Sequence, residues 1–125
     1  MKRVGVVFIT HGSLCENYVR EVNKIAERVV EKLKKSLSDV EIVPVVSYLH
    51  HQHPDPDEAI KELLRGNVEK IIAFSMFVVE GRHGREDTME ILNKYGEKVI
   101  YAGTLWPDDR VIDIISDKIL RYIRQ

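Results

Sequence analysis

Residues 4–22 read VGVVFITHGSLCENYVREV, and the change of period inside this stretch decides the fold class. Val4 to Ile9 is a nearly unbroken run of β-branched and aromatic residues, as in a strand covered on both faces. Past Thr10 the apolar residues respace, with Val19, Val22, Ala26, Val29, Val30, Leu33 and Leu37 recurring at helical intervals. Ser13 and Glu16 have the S-x-x-E spacing of a capping box and predict the helix start. Strand, short loop and helix therefore follow one another within the first 37 residues.

The same unit recurs. Val40 to Tyr48 reads as a second strand, and Asp55-Pro56-Asp57-Glu58 as a second helix start, with the cap at Asp55, proline at the first helical position and Glu58 three residues on. Gly66 is expected to close that helix. Lys70 to Val79 supplies a third strand, Glu86 to Tyr95 a third helix closed by Gly96, and Lys98 to Ala102 a fourth strand. Asp108 or Asp109 caps a last helix whose Val111, Ile115, Ile119 and Tyr122 line one stripe. A βαβαβαβα order implies an α/β three-layer sandwich around a four-stranded parallel sheet, since right-handed crossovers place helices on both faces. The flavodoxin-like order 2-1-3-4 is expected. No linker or low-complexity tract interrupts residues 1–125, so one domain is predicted.

Nineteen Lys and Arg against twenty Asp and Glu leave a formal charge of −1, which gives no global field for nucleic acid or an anionic membrane. The single cysteine, Cys15, excludes an internal disulfide and a CxxC site. No segment approaches the roughly 18 apolar residues of a membrane span, and a cytoplasmic protein is expected.

In open α/β sheets, ligands bind beyond the carboxyl ends of the strands, beside the point where strand order reverses. Two histidines fall there: His11 in ITHGS after the first strand, and His83 in VVEGRHGRED, residues 78–87, after the third. Those strands would be neighbours about 5 Å apart, so the imidazoles are expected on one edge, a donor type suited to Co, Ni, Fe or Zn. Gly12, Gly81 and Gly84 would let backbone approach a flat ligand. Ser13 opens a helix N-terminus able to receive an anion, and Arg82 and Arg85 are candidate counter-charges for carboxylates. His50, in HHQH after the second strand, is a further candidate metal ligand.

ITHGS together with SMFVVEGRHGRED and the segment PDPDEAI resembles the class II tetrapyrrole chelatases, in particular the small archaeal-type sirohydrochlorin cobaltochelatases. The resemblance covers most of the chain. It implies insertion of a divalent metal, Co²⁺ before Ni²⁺ or Fe²⁺, into sirohydrochlorin or a related tetrapyrrole. His11 and His83 would be the metal ligands and catalytic proton acceptors. It also implies a homodimer, no organic cofactor, and the metal as a substrate. Two alternatives remain at this stage: a non-catalytic metal or tetrapyrrole carrier, and phosphoryl transfer through a phosphohistidine at RHG.

Overall fold

The computed structural model describes residues 1–125 and contains four strands and four helices in strict alternation. They are β1 (Lys2–Thr10), α1 (Glu16–Ser36), β2 (Val40–Tyr48), α2 (Pro56–Arg65), β3 (Lys70–Ser75), α3 (Arg82–Asn93), β4 (Val99–Gly103) and α4 (Arg110–Ile123). Every strand pair is parallel and the order is β2-β1-β3-β4, as the alternation predicts. Ile9 stands opposite Ser75 and Thr10 opposite Tyr48, so the three strands end level and their loops emerge side by side. No helix is long and apolar enough to cross a membrane.

The pleat sends alternate residues of β1 into two separate apolar layers. Val7 and Ile9 join Ile71, Ala73 and Val99 beneath Ala59, Ile60 and Leu63 of α2 and Leu92 of α3. Val4, Val6 and Phe8 join Ile42 beneath Ala26 and Val30 of α1. Burying a side chain such as Ile9, Ile60 or Ile71 stabilises the fold by about 1.5–3 kcal/mol, and this double demand explains the unbroken apolar run in β1.

Helix α2 starts as its sequence dictates. The Asp55 carboxylate accepts the Glu58 N–H at 2.8 Å, and Glu58 accepts the Asp55 N–H at 3.0 Å, with Pro56 in the first turn. Asp55→Ala is expected to lower unfolding free energy by about 1 kcal/mol, measured by urea denaturation. An unchanged midpoint would show that the box contributes nothing.

Other boundaries differ from the expected ones for identifiable reasons. Ser13 does not cap α1: Cys15 occupies the cap position without a side-chain bond, and Ser13 Oγ instead accepts the Cys15 N–H at 3.1 Å. Leu37 lies past the end of α1, and Val29 is exposed. Strand β3 stops at Ser75, four residues before Val79, because the Phe77 N–H turns back to the Ser75 carbonyl at 2.8 Å. Helix α3 begins at Arg82 rather than Glu86, its first turn closed by the Arg85 N–H on the Gly81 carbonyl at 3.0 Å. Gly66 ends α2 with a right-handed conformation, and Asn67 takes the left-handed one. Gly96 does adopt positive φ, but it opens a 3₁₀ turn (Gly96–Lys98) after α3 has ended at Asn93. At α4, Asp109 holds the cap position while the neighbouring Asp108 carboxylate accepts the Arg110 N–H at 2.9 Å. Of the expected α4 stripe only Val111 is buried, and Ile115, Ile119 and Tyr122 face solvent.

Candidate active site at the carboxyl edge of the sheet

His11 is the first residue beyond β1, and its backbone is held on both sides. Its N–H donates to Tyr18 Oη at 3.2 Å, and its carbonyl accepts the His50 N–H at 2.9 Å. The imidazole stacks on the Phe77 ring at a centroid distance of 4.0 Å and an interplanar angle of 23°. Phe77 is itself buried in the turn that ends β3. The loop after one strand thus supplies the imidazole, and the loop after its neighbour supplies an apolar platform that limits its rotation.

Gly12 follows with φ +86°. A Cβ there would sit 1.8 Å from the His50 carbonyl oxygen, so only glycine fits against the β2 loop. Gln52 completes the junction: its Oε1 accepts the Ser13 N–H at 3.0 Å and its amide NH₂ donates to the Ser13 carbonyl. Of the HHQH stretch, the side chain that braces this site is therefore the glutamine. His50 contributes backbone, and His51 takes the left-handed conformation at φ 74°. His53 is drawn to Glu58 at 2.8 Å, a hydrogen bond that raises its pKa.

His83 lies in the first turn of α3, exposed, on the same edge as His11. Gly81 is the cap residue and Gly84 falls within the first turn, so the slim segment expected as a loop is the start of a helix. Arg82 pairs along its own helix, Nε to Glu86 Oε1, at 3.1 Å. Arg85 instead lines a cleft of about 430 Å³ with Val79, Glu80, Tyr101 and Trp106. Within it Tyr101 Oη lies 2.8 Å from Ser75 Oγ and 3.1 Å from each Glu80 carboxylate oxygen. Burial foremost raises the Tyr101 pKa, with the Glu80 charge adding and the Ser75 bond opposing, so the phenol stays a proton donor.

Glu80, Tyr101, Phe77 and Gln52 are absent from the sequence-derived set. Glu80 stands inside VVEGRHGRED and was open to notice as an acid beside the histidine. Tyr101 reads as an ordinary half-buried strand aromatic, and only the register of β4 against β3 carries it to this edge. No three His, Cys, Asp or Glu side chains are grouped so as to hold a metal ion.

Comparison with known proteins bears on the family and the fold. The chain is 27% identical to the sirohydrochlorin cobaltochelatase of Methanopyrus kandleri, over 93% of this chain and 94% of that protein. It is 26% identical to the sirohydrochlorin cobaltochelatase of Sulfolobus acidocaldarius, over 92% and 89%. Among solved structures, the cobalamin biosynthesis CbiX protein of Marinobacter aquaeolei has the same fold, with a TM-score of 0.71 at 20% identity, covering 97% of this chain and 98% of that one. The sirohydrochlorin chelatase SirB of Bacillus subtilis, solved in complex with cobalt, superposes with a TM-score of 0.71 at 17% identity, over 97% of this chain but 51% of SirB. The CbiX sequence profile matches residues 5–122, which takes in both histidine motifs and all four strand–helix units, and the chain belongs to the CbiX family.

Proposed function

We propose that this protein is a metal chelatase of the lyase class that inserts a divalent metal into sirohydrochlorin or a closely related tetrapyrrole. Co²⁺ is the first choice of metal, with Ni²⁺ and Fe²⁺ as competitors. The observation that carries the reading is the placement of His11 and His83 beyond two adjacent, level strands in a chain of the CbiX family. The metal is a substrate, and the proposed reaction needs no organic cofactor.

Insertion exchanges two pyrrole N–H protons for one M²⁺, so the site must hold the metal loosely and accept protons. Neutral imidazole does both: it is a borderline ligand for these metals and titrates near neutrality. Two histidines leave most coordination positions open, so ring nitrogens displace ligands one at a time. The stack on Phe77 limits the swing of His11, which reduces the ordering left to be done at the moment of transfer. Arg82 and Arg85 offer charge to the substrate's carboxylates, with the backbone N–H groups of Gly12 and Gly81 on the same edge and Ser13, whose N–H is taken by Gln52, between them and α1. Of the two, Arg85 is the better placed, because it faces the cleft and has no ion-pair partner. Gly84 keeps the α3 first turn low beneath a flat ring, and exposed Val79 and Trp106 give that ring an apolar surface. Pairing as a homodimer fits a chain that spans about half of SirB.

The test is to mix the protein with sirohydrochlorin and Co²⁺, Ni²⁺ or Fe²⁺ in turn and follow the absorption spectrum. A catalytic amount of protein is expected to convert excess ring faster than the spontaneous rate, with Co²⁺ fastest. Spectral change that stops at one ring per chain would instead identify a carrier and end the enzyme reading.

A further inference from the structure

His83 stands on a stretch of chain that the core does not hold. Residues 81–87 are all exposed, and the first buried side chain of α3 is Thr88, past His83 by more than a helical turn. Gly81 caps the helix without a side-chain bond, and Arg82 pairs along its own helix with Glu86. The approach to the helix changes character on the way. Met76 to Val78 are fixed by backbone bonds: the Met76 N–H donates to the Ile9 carbonyl at 2.8 Å, and the Leu105 and Trp106 N–H groups donate to the Phe77 and Val78 carbonyls at 3.0 Å. Val79 and Glu80 make no backbone hydrogen bond within the chain. A helix start without an anchor would wander, and a displacement of about 1 Å is enough to slow a reaction about 10²-fold.

One side chain from β4 supplies the anchor. Tyr101 pairs with Ala73 in the sheet, and the pairing then jumps to Phe74 with Gly103, which leaves Ala102 as an extra residue. A bulge of this kind re-aims the side chain beside it. The phenol oxygen lies 2.8 Å from Ser75 Oγ and 3.1 Å from each Glu80 carboxylate oxygen. A phenol has one proton to give, and an ionised carboxylate only accepts. Tyr101 therefore donates to Glu80, and the Ser75 hydroxyl donates to Tyr101. Ser75 is fully buried as the last residue of β3, opposite Ile9, while Glu80 directly precedes the α3 cap. The phenol oxygen thus joins the two ends of the connection 76–79. Phe77 supports His11 from within that connection, and His83 follows it.

We propose that Tyr101 is a positioning residue: its hydroxyl, acting through Glu80, holds the first turn of α3 so that His83 faces the same metal as His11. Phenylalanine at this position would fill the same space and lose the connection. The role of His83 rests on the chelatase reading above, whereas the anchoring of α3 does not.

The test compares the full wild-type chain with Tyr101→Phe in three measurements. The first is amide hydrogen exchange by NMR, at the Arg85 N–H that closes the first turn of α3 on the Gly81 carbonyl. Its exchange is expected to quicken about tenfold relative to the amides of α1, and equal protection in the two proteins would overturn the anchor. The second is titration with Co²⁺ alone, read by its visible absorption. Tyr101→Phe is expected to bind about tenfold more weakly, and unchanged affinity despite a frayed first turn would overturn the positioning of His83. The third is insertion of Co²⁺ into sirohydrochlorin, where kcat is expected to fall about tenfold with the ring's KM changed less than about twofold. A raised KM at unchanged kcat would make Tyr101 a contact of the ring and overturn the positioning role. Glu80→Gln keeps an acceptor oxygen and is expected to stay within about threefold of wild type, whereas Glu80→Ala should match Tyr101→Phe. The double variant Tyr101→Phe with Glu80→Ala should be no slower than either single, and losses that multiply would overturn the pairing. If the wild type binds Co²⁺ but inserts none, the chelatase reading fails alone, and the exchange and Co²⁺ titrations still decide the role of Tyr101.

Discussion

His11→Ala and His83→Ala are each expected to slow metal insertion about 10²- to 10⁴-fold, the range for losing a positioned proton acceptor. The folds of both variants should survive. His83 is exposed on the first turn of α3, and His11 is exposed despite its stack on Phe77, so neither side chain carries core packing. Urea midpoints should move little for His83→Ala and by roughly 1 kcal/mol or less for His11→Ala, where an aromatic contact is lost. The informative variant is the double. If the two imidazoles act on one metal, either single loss already disables delivery, and the double should be no slower than the worse single, whereas independent roles would multiply. His50→Ala should cost less than about tenfold, because His50 serves the site through its backbone N–H and carbonyl. Full activity in both single variants would remove the histidines from the mechanism. Loss in His50→Ala equal to that in His11→Ala would return His50 to the ligand set.

The topology was legible because every level of the sequence agreed on it. The apolar run of β1 demanded two covered faces, the D-P-D-E signal placed α2 to the residue, and the alternation of elements fixed the parallel sheet. The boundaries that went astray share a cause, which is tertiary bonding overriding a local signal. Ser13 looks like a cap, but Gln52, 39 residues away, holds its backbone. Met76 to Val79 looks like strand, but Phe77 turns down to support His11. Arg82 to Arg85 looks like loop because of its glycines, yet Gly81 starts a helix there. The position of His11 could be found from spacing alone, since a residue directly after a buried strand must emerge at that edge, whereas His83 follows the end of β3 by eight residues and reaches the edge in the first turn of α3. Phe77, Gln52 and Tyr101 could not, because each matters through a partner distant in sequence, and spacing along a chain carries no information about such partners. The α4 stripe is present as a pattern, but a pattern does not say what, if anything, covers it, and Ile115, Ile119 and Tyr122 are exposed.

Gly12→Ala is expected to cost about 2–4 kcal/mol of stability and to abolish metal insertion, although it adds only one methyl group. Two penalties coincide. A φ of +86° lies where an L-residue loses about 1–2 kcal/mol. The added Cβ would also lie 1.8 Å from the His50 carbonyl oxygen, a backbone atom that no rotamer change can move aside. Relief requires the β1–α1 loop to lift from the β2–α2 loop. That would strain both Gln52 bonds to Ser13 and the His50 N–H bond to the His11 carbonyl, and so displace the imidazole from Phe77. Gly81→Ala supplies the contrast at the start of α3. There φ is −72° and a Cβ meets nothing within 4 Å, so stability should hold or rise by about 0.4–1 kcal/mol as the unfolded chain loses freedom. Any defect in Gly81→Ala should then appear as weaker tetrapyrrole binding at unchanged stability, which equilibrium titration with the metal-free ring would read. The same substitution thus tests two different uses of glycine: a backbone contact that the fold requires at Gly12, and open space kept for a flat ligand at Gly81. If Gly12→Ala keeps its urea midpoint and its activity, the β2–α2 loop does not hold His11 in place.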